Sequence, residues 1–296
     1  MGITVHLIDG TYELYRQHYG QPGSDRTPYA ATVGVLRSTL RLIADGATHL
    51  GVATDHVIES FRNDLWPGYK SSEGMEPELL EQIPIVEEAL RAMGVVVWAM
   101  GREEADDGLA SAAAVAAADA SVDQVRILSP DKDLGQCVRG SRVIQVDRRT
   151  GAETTEDDVR ARFGVGPEGV PDWLGLVGDA SDGFPGLPGW GAKSATAVLS
   201  RYGTIAAIPD DPARWTADGV VVRGAAKLAA TLSGARDDAM LFRRIATLDA
   251  TCEVGAVASW AWHGPEPRFG AVAEDLGDPG LAERATRLAG RAAGRG

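Results

Sequence analysis

The stretch "GVVVWAMGREEADDGLASAAAVAAADASVDQVRILSPDKD", residues 94–133, decides the fold because it places a helical pattern between two strand patterns. Residues 94–100 and 124–129 are short apolar runs rich in β-branched side chains, which is typical of buried strands. The Ala-rich segment 104–119 between them has a helical pattern, and it is too short to cross a membrane. Apolar strands that alternate with helices predict a mostly parallel sheet covered by helices.

The same alternation extends along the chain on either side of this stretch. Strands are predicted at 3–8 and 49–54, with a fifth candidate at 142–146, and helices at 28–45 and 76–93. From about residue 170 the pattern changes to helices joined by Gly and Pro turns, with no clear strand until the C-terminal region. The final "LAGRAAGRG" is expected to be a frayed tail. The fold class is therefore α/β, followed by a helical cluster.

Composition limits the partners and the compartment. With 296 residues, 44% of them hydrophobic, the chain can bury a large core. Two cysteines cannot form a disulfide framework, and we see no secretory leader and no long apolar stretch, so we expect a cytoplasmic protein without membrane contact. The net charge of −13 argues at first against nucleic acid. However, residues 103–182 hold 17 acidic and 8 basic residues, whereas residues 183–250 hold 6 and 8.

Acidic residues follow each of the first four predicted strands. Because the carboxyl ends of parallel strands meet at one edge of a sheet, these carboxylates are expected to lie close together. A single Asp after a strand is often only a helix N-cap, but four strands in succession favour a shared site. Such a group would repel itself without cations, and oxygen ligands alone favour Mg²⁺ or Mn²⁺ over Zn²⁺. The residues are Asp9, Asp55, Glu104, Asp106, Asp107, Asp131 and Asp133.

The segment "GDASDGFPGLPGWGAKSATAVL", residues 178–199, adds two more acids and a glycine loop. Asp179 and Asp182, spaced by three at the end of a helical stretch, are expected to share one face and to close the acidic rim. The part from 187 onward has the pattern of a helix-hairpin-helix, in which glycines let the backbone approach a phosphate. A turn that merely joins two helices remains the alternative. The predicted DNA contacts here are Gly186, Gly189, Gly191, Lys193 and Ser194.

A family resemblance is carried by five segments: "LIDGTYELYR", "SFRNDLWPGYK", "EEADDGLA", "ILSPDKDLGQCV" and "GDASDGFPGLPGWGAKSA". Through them, residues 3 to about 250 resemble the 5′ nucleases of the flap endonuclease family. The resemblance is to the domain at the front of bacterial DNA polymerase I, here expected to stand alone. It implies a PIN-like sheet over 1–177 with an arch at about 66–93. It also implies a helix-three-turn-helix DNA-binding region over 178–250, and a C-terminal segment, 251–296, packed back on the core.

The resemblance also implies the chemistry. All nine acids match metal positions of the family, which uses two or more Mg²⁺ or Mn²⁺ ions and commonly holds K⁺ at the hairpin loop. The resemblance divides these acids between two ions. One ion would be held mainly by Asp9, Asp55, Glu104 and Asp106, and the other mainly by a second group. Asp107 and Asp131 would contact an ion directly or through water. The second group is Asp133, Asp179 and Asp182.

The resemblance further assigns residues outside the acidic group. Lys70 would contact the scissile phosphate from the base of the arch, and Arg62 would either orient the strand end or touch DNA. Apart from the resemblance, the ring of Tyr69, like that of Tyr12, is expected either to stack on a base or to lie in the core or at its rim. Glu73 departs from the family, many members of which have Arg there, so the sequence leaves open whether a 5′ end threads the arch.

The resulting hypothesis is a monomeric 5′-3′ exonuclease and 5′-flap endonuclease that acts on branched or 5′-ended duplex DNA without an obligatory protein partner. A PIN-like ribonuclease and a DNA-structure-binding protein with weak or lost catalysis are the alternatives. The former is usually shorter and lacks the hairpin, and the complete acid set counts against the latter.

Overall fold

A computed structural model describes residues 2–20 and 28–293, with side chains up to 291. The chain forms two compact units that are both discontinuous in sequence. The first combines the residues up to Ile58 with Ser72–Ser129 and with the residues from Asp249 onward; the second combines Glu59–Ser71 with Pro130–Leu248.

Six strands and thirteen α-helices are present in the described residues. The strands are β1 (Ile3–Asp9), β2 (His49–Asp55), β3 (Val96–Met100), β4 (Val122–Leu128), β5 (Val143–Val146) and β6 (Glu153–Thr154). The helices are α1 (Gly10–Gly20), α2 (Ala30–Ala44), α3 (Phe61–Leu65), α4 (Pro77–Ala92), α5 (Ala105–Ala118), α6 (Glu156–Phe163), α7 (Val170–Val177), α8 (Ala192–Tyr202), α9 (Pro212–Ala217), α10 (Ala225–Gly234), α11 (Arg236–Ala246), α12 (Phe269–Asp275) and α13 (Gly280–Ala293).

The first unit contains a parallel sheet in the order β3-β2-β1-β4. Asp9 pairs in register with Ala53, and Asp55 pairs with Met100, so the carboxyl ends of three strands lie at one edge. Val5, Leu7 and Ile8 of β1 are apolar and fully buried, as expected for a strand that lies between β2 and β4. The predicted mostly parallel sheet flanked by helices is confirmed.

Helix α5 packs closely on this sheet because its buried face consists of small residues. Almost every residue of its first two turns is buried. A Cβ on Gly108 would lie 3.3 Å from the Cβ of Ala53 and 3.1 Å from the sulfur of Met100. Only glycine lets the helix approach β2 and β3 to this distance without a shift, and this approach positions the acidic first turn of α5.

Tryptophans attach the C-terminal part of the chain to the first unit. The indole N–H of Trp98 in β3 donates to the carbonyl of Val254 at 3.0 Å, and its ring meets that of Trp260 edge-on at 5.3 Å. Trp262 donates from its indole to the carbonyl of Met93 at 2.9 Å and from its backbone to Thr48 at 2.8 Å. The residues expected to fray from 288 onward continue α13 up to Ala293, and 294–296 lie outside the described residues.

The second unit is mainly helical, apart from the antiparallel pair β5–β6. Its core is built around large aromatic side chains such as Trp215, which is fully buried and contacts Trp190 with 6.0 Å between ring centroids. Buried Asp172 accepts hydrogen bonds from the backbone of Ile205 at 2.8 Å and from the guanidinium of Arg243 at 2.9 Å, so it connects α7 to α11. The described residues after 170 contain helices and turns but no strand, as the sequence predicted up to the C-terminal region.

Candidate functional site

The first unit brings acids together at the carboxyl edge of its sheet. Asp9, which is buried, accepts hydrogen bonds from the backbone N–H of Tyr12 and from the hydroxyl of Ser129, each at 2.8 Å. Asp55 accepts one from the backbone N–H of Ala105 at 2.8 Å, so the end of β2 is joined to the start of α5. The neighbouring Glu104 is buried at the N-cap of α5.

Asp106 and Asp107 differ although they are adjacent. The side chain of Asp106 is half-buried, whereas Asp107 is fully buried. One oxygen of Asp107 accepts the backbone N–H of Glu104 at 2.9 Å, and the other accepts that of Asp249 at 2.8 Å. Each carboxylate oxygen of Asp107 is therefore already bonded to a backbone donor, which is the arrangement of a helix cap rather than of an open ligand.

The second unit forms the tightest acidic group. Asp133, Asp179 and Asp182 each offer one carboxylate oxygen, and these oxygens all lie within 4.8 Å of one another. Within residues 2–20 and 28–293, no such trio arises from Asp9, Asp55 and Glu104. Asp131 lies beside the group, because its carboxylate accepts the backbone N–H of Asp133 at 3.0 Å.

The loop geometry that brings Asp179 and Asp182 together differs from the predicted one. Helix α7 ends at Val177, so the two aspartates do not share a helix face. Instead, Asp179 and Phe184 exchange two backbone hydrogen bonds, of 2.8 and 3.1 Å, which close a tight turn over the intervening residues. Gly178 before the turn has a φ of +81°. A turn rather than a helical spacing therefore directs both carboxylates toward Asp133.

The electrostatics of this group are unfavourable without a cation. Burial, followed by the charges of Asp131, Asp182 and Asp179, raises the pKa of Asp133 well above its usual value, although Lys132 opposes this. One oxygen of Asp133 is buried and accepts no hydrogen bond from the described residues. A buried carboxylate that has an unpartnered oxygen and is grouped with two further carboxylates fits a hard cation with oxygen ligands.

Lys132 lies beside the acidic group, and the sequence reasoning did not single it out. Its ammonium group forms an ion pair with Asp179. Burial lowers the pKa of Lys132, but the hydrogen bond to Asp179 and the nearby acids outweigh this effect, so the pKa lies above its usual value. The only sequence signal was its position between two expected ligands in "DKD".

Lys70 and Arg62 both belong to the second unit, but the Lys70 side chain is partly exposed to solvent whereas Arg62 is buried. The Lys70 ammonium is 3.5 Å from a carboxylate oxygen of Asp182, and the Lys70 backbone N–H donates to the Asp182 carbonyl at 2.9 Å. Arg62 is 1% exposed, and it donates to the carbonyls of Ile245 at 2.8 Å and Thr247 at 3.3 Å. Arg62 thus holds the end of α11.

The aromatic ring of Tyr69 lies in the core. The residue is 6% exposed and belongs to the hydrophobic cluster of the second unit. Stacking on a base requires an exposed ring face, and this packing provides none. Of the two roles that the sequence left open for Tyr69, the structure therefore matches the core role.

The predicted hairpin lies between α7 and α8, and its glycines are not equivalent. A Cβ on Gly186, where φ is +65°, would be 2.3 Å from the backbone nitrogen of Gly178, so Gly186 serves close packing within the protein. Gly189, where φ is +83°, and Gly191 would each have no atom within 4 Å of an added Cβ; Gly189 is exposed, whereas Gly191 is half-buried. Lys193 is exposed, and the Ser194 hydroxyl accepts the backbone N–H of Gly191 at 3.0 Å.

Comparisons with known proteins identify exonucleases that are similar to this chain. Residues 4–164 match the family model "5'-3' exonuclease, N-terminal resolvase-like domain", and residues 165–267 match "5'-3' exonuclease, C-terminal SAM fold". The chain is 33% identical over 207 residues to a 5′-3′ exonuclease of Aquifex aeolicus, which covers 68% of this chain and 71% of that protein. It is 30% identical over 281 residues to DNA polymerase I of Pseudomonas aeruginosa, covering 90% of this chain but only 29% of the polymerase.

A solved structure shares the fold at lower identity. The flap endonuclease of bacteriophage T5, in a complex with DNA and metal ions, superposes with a TM-score of 0.64 at 18% identity, covering 96% of this chain and 97% of that protein. Within residues 2–20 and 28–293, helices long and apolar enough to cross a membrane are absent.

Proposed function

We propose that this chain, which belongs to the 5′-3′ exonuclease family, hydrolyses phosphodiester bonds of DNA near a 5′ end with the help of divalent metal ions. The observation that carries the proposal is the trio Asp133, Asp179 and Asp182, whose oxygens converge within 4.8 Å. One oxygen of Asp133 is also buried without a hydrogen-bond donor in the described chain. The comparisons favour this function over the ribonuclease and over a binder without catalysis.

Each unit contributes its own set of metal ligands in this proposal. Asp133, Asp179 and Asp182 hold one Mg²⁺ or Mn²⁺ ion, with Asp131 reaching it directly or through water. Asp9, Asp55, Glu104 and Asp106 hold the other. A divalent ion in such a site supplies a bound water of lowered pKa and positive charge for the phosphate oxygens. Oxygen-only ligands match these hard ions.

The side chains around the acids have separate roles. Lys70 extends its ammonium next to Asp182 and is proposed to meet a non-bridging oxygen of the scissile phosphate. Lys132 neutralises Asp179 when no ion is bound. Arg62 positions the end of α11 and does not touch the reacting atoms, because its side chain is buried and donates to the carbonyls of Ile245 and Thr247.

The finer assignments are also proposals. The partner is a branched or 5′-ended duplex, gripped at the exposed Gly189 with Gly191 and Lys193 nearby, and K⁺ binds at this loop. The protein acts as a monomer in the cytoplasm, where its free Cys137 and Cys252 stay reduced. The preference of the enzyme among DNA substrates, with and without a free single-stranded 5′ end, tests whether such an end threads past Glu73.

A labelled 5′-flap DNA tests the function directly. Wild type should release the flap with Mg²⁺ and not with EDTA, and Asp182→Asn should lose at least about a hundredfold in rate, more than outer ligand partners usually contribute. Asp157→Asn, an exposed acid on α6 of the same unit, is the matched control and should retain full rate.

Three results would contradict the proposal. Tight binding of the flap without cleavage in Mg²⁺ or Mn²⁺ would identify a binder. Faster cleavage of an RNA hairpin than of the DNA flap would identify a ribonuclease. An unchanged rate for Asp182→Asn would remove the proposed metal site.

A further inference from the structure

The loop between α9 and α10 displays an apolar side chain in solvent. Val221 is 92% exposed, more than any other large hydrophobic residue in the described ranges. Its neighbour Val220 is buried and closes α9 by donating its backbone N–H to the Trp215 carbonyl at 2.8 Å. The loop is therefore firmly anchored at its base, and its tip is held out from the core.

Two cations lie near this tip. Arg223 lies two residues after Val221, and Lys227 lies in the first turn of α10; both are exposed. Neither forms an ion pair with another residue of the described chain. Asp218 at the start of the loop is already engaged, because it pairs with Arg201 at 3.6 Å and accepts the Tyr202 hydroxyl at 3.0 Å. The tip thus combines an apolar side chain with uncompensated positive charge.

The α9–α10 hairpin also resembles the first hairpin in sequence. "GWGAKSATAVL" (189–199) and "VRGAAKLAATL" (222–232) both place a glycine before a helix and a lysine in its first turn. In both helices the residues four and eight positions after that glycine are buried, so the two helices bury equivalent faces. The lysines are Lys193 and Lys227, and both are exposed.

A single tryptophan fixes the two hairpins to each other. Trp190, between Gly189 and Gly191 of the first loop, is buried against Trp215 of α9. Its indole N–H donates to the carbonyl of Leu228 in α10 at 3.3 Å. The first loop is therefore joined to both helices that flank the second loop, so a ligand that contacts the first loop meets the second in a defined position.

We propose that the α9–α10 loop is a second duplex-DNA contact, in which Arg223 and Lys227 pair with phosphates and Val221 packs in the minor groove. This inference rests on the proposed function, since it takes DNA as the ligand of the first hairpin. Charge complementarity favours a polyanion, and apolar side chains beside cations are a known means of contacting the minor groove. The contact fixes the position of the duplex and carries no base specificity.

Equilibrium binding of the full chain to a labelled blunt duplex, in EDTA and over a range of salt concentrations, tests the proposal. Arg223→Ala/Lys227→Ala should bind about tenfold or more weakly near 0.1 M salt, and should lower the slope of log affinity against log salt by about 1.8. Val221→Ser should weaken binding about fivefold with the slope unchanged, since it removes an apolar contact and no charge. Thermal unfolding should not change, because all three side chains are exposed.

The controls separate this site from the proposed function. Arg287→Ala/Arg291→Ala removes two exposed cations from α13 of the other unit and should leave duplex binding unchanged. If Lys193→Ala weakens duplex binding and the Arg223/Lys227 double variant does not, the second contact is wrong while the nuclease stands. A loss seen only with single-stranded DNA also overturns the duplex contact. If wild type neither binds nor cuts DNA, the proposed function itself fails.

Discussion

Lys132 forms an ion pair with Asp179, and this acid belongs to the same group of converging carboxylates as Asp133 and Asp182. The ammonium group of Lys132 therefore supplies a positive charge beside these three carboxylates. An internal cation and a divalent ion both relieve the repulsion among the acids, so their contributions to stability overlap.

This overlap predicts the behaviour of Lys132→Met. In EDTA the variant should unfold a few degrees below wild type, at roughly 2–4 °C per kcal/mol lost. Saturating Mg²⁺ should raise its unfolding temperature more than that of wild type, because more repulsion remains to be relieved. Thermal unfolding with and without Mg²⁺ measures both effects. Lys193→Met, which removes an exposed lysine from α8, should match wild type, and equal Mg²⁺ shifts in Lys132→Met and wild type would contradict the interpretation.

The raised pKa of Asp133 predicts how the stability of the metal-free protein depends on pH. Because the folded-state pKa lies above the unfolded-state value, the folded chain binds an additional proton between the two values. The stabilisation is complete below the unfolded-state pKa and is lost as the pH rises through the folded-state pKa. Asp133→Asn should remove this loss, so in EDTA the variant should gain stability over wild type as the pH increases.

Urea unfolding at a series of pH values measures the Asp133 effect, with Asp157→Asn as the exposed control. Saturating Mg²⁺ should reduce the advantage of Asp133→Asn, because the ion compensates the ionised wild-type group. A difference between variant and wild type that does not vary with pH would show that Asp133 keeps its ordinary titration.

Asp106 and Asp107 should respond oppositely to the same substitution. Asp107→Asn replaces an acceptor that faces a backbone N–H, so it should destabilise the fold by about 1–3 kcal/mol. Asp106→Asn should abolish cleavage without reducing the stability of the metal-free protein. Denaturant unfolding and flap cleavage, measured on both variants, distinguish the roles; the assignment is wrong if Asp107→Asn is fully stable and inactive.

Gly186 and Gly189 lie in the same hairpin loop, so substitution of each by alanine gives a matched comparison. Gly186→Ala should destabilise by about 2–4 kcal/mol, because the new methyl group meets the backbone of Gly178 and the left-handed φ is strained. Gly189→Ala should cost only about 1 kcal/mol of strain, since no atom lies near the methyl position. Duplex affinity should fall for Gly189→Ala in the folded protein, and equal stability losses in the two variants would contradict the structure.

The sequence predicted the features that depend on order and period. β1 to β4 are apolar runs whose ends carry acids, and the parallel arrangement follows from the helices between them, so the convergence of Asp9 and Asp55 at one edge needed no further information. The α7–α8 hairpin was equally accessible through its glycine pattern. These features are local, or they follow from topology alone.

Features that depend on burial and long-range hydrogen bonds were not predictable. In "EADD" alone nothing distinguishes Asp107 from a ligand, because its second donor, Asp249, lies 142 residues away. Arg62 becomes structural only through carbonyls 183 and 185 residues away. A spacing of three between Asp179 and Asp182 fits both a helix end and a turn, and the exchange of hydrogen bonds with Phe184 decides between them.

Because Trp260 and Trp262 lie late in the sequence, the strands of the first unit are synthesised well before these packing partners. A ribosome releases the strands that carry Asp9, Asp55 and the acids of α5 before it has made Trp260 and Trp262, which attach to β3 and to Met93. At about 5–20 residues per second, the interval between β4 and Trp262 is on the order of ten seconds. For that time Trp98 of β3 has neither the ring of Trp260 nor the carbonyl of Val254 as a partner, so the nascent first unit lacks this part of its packing.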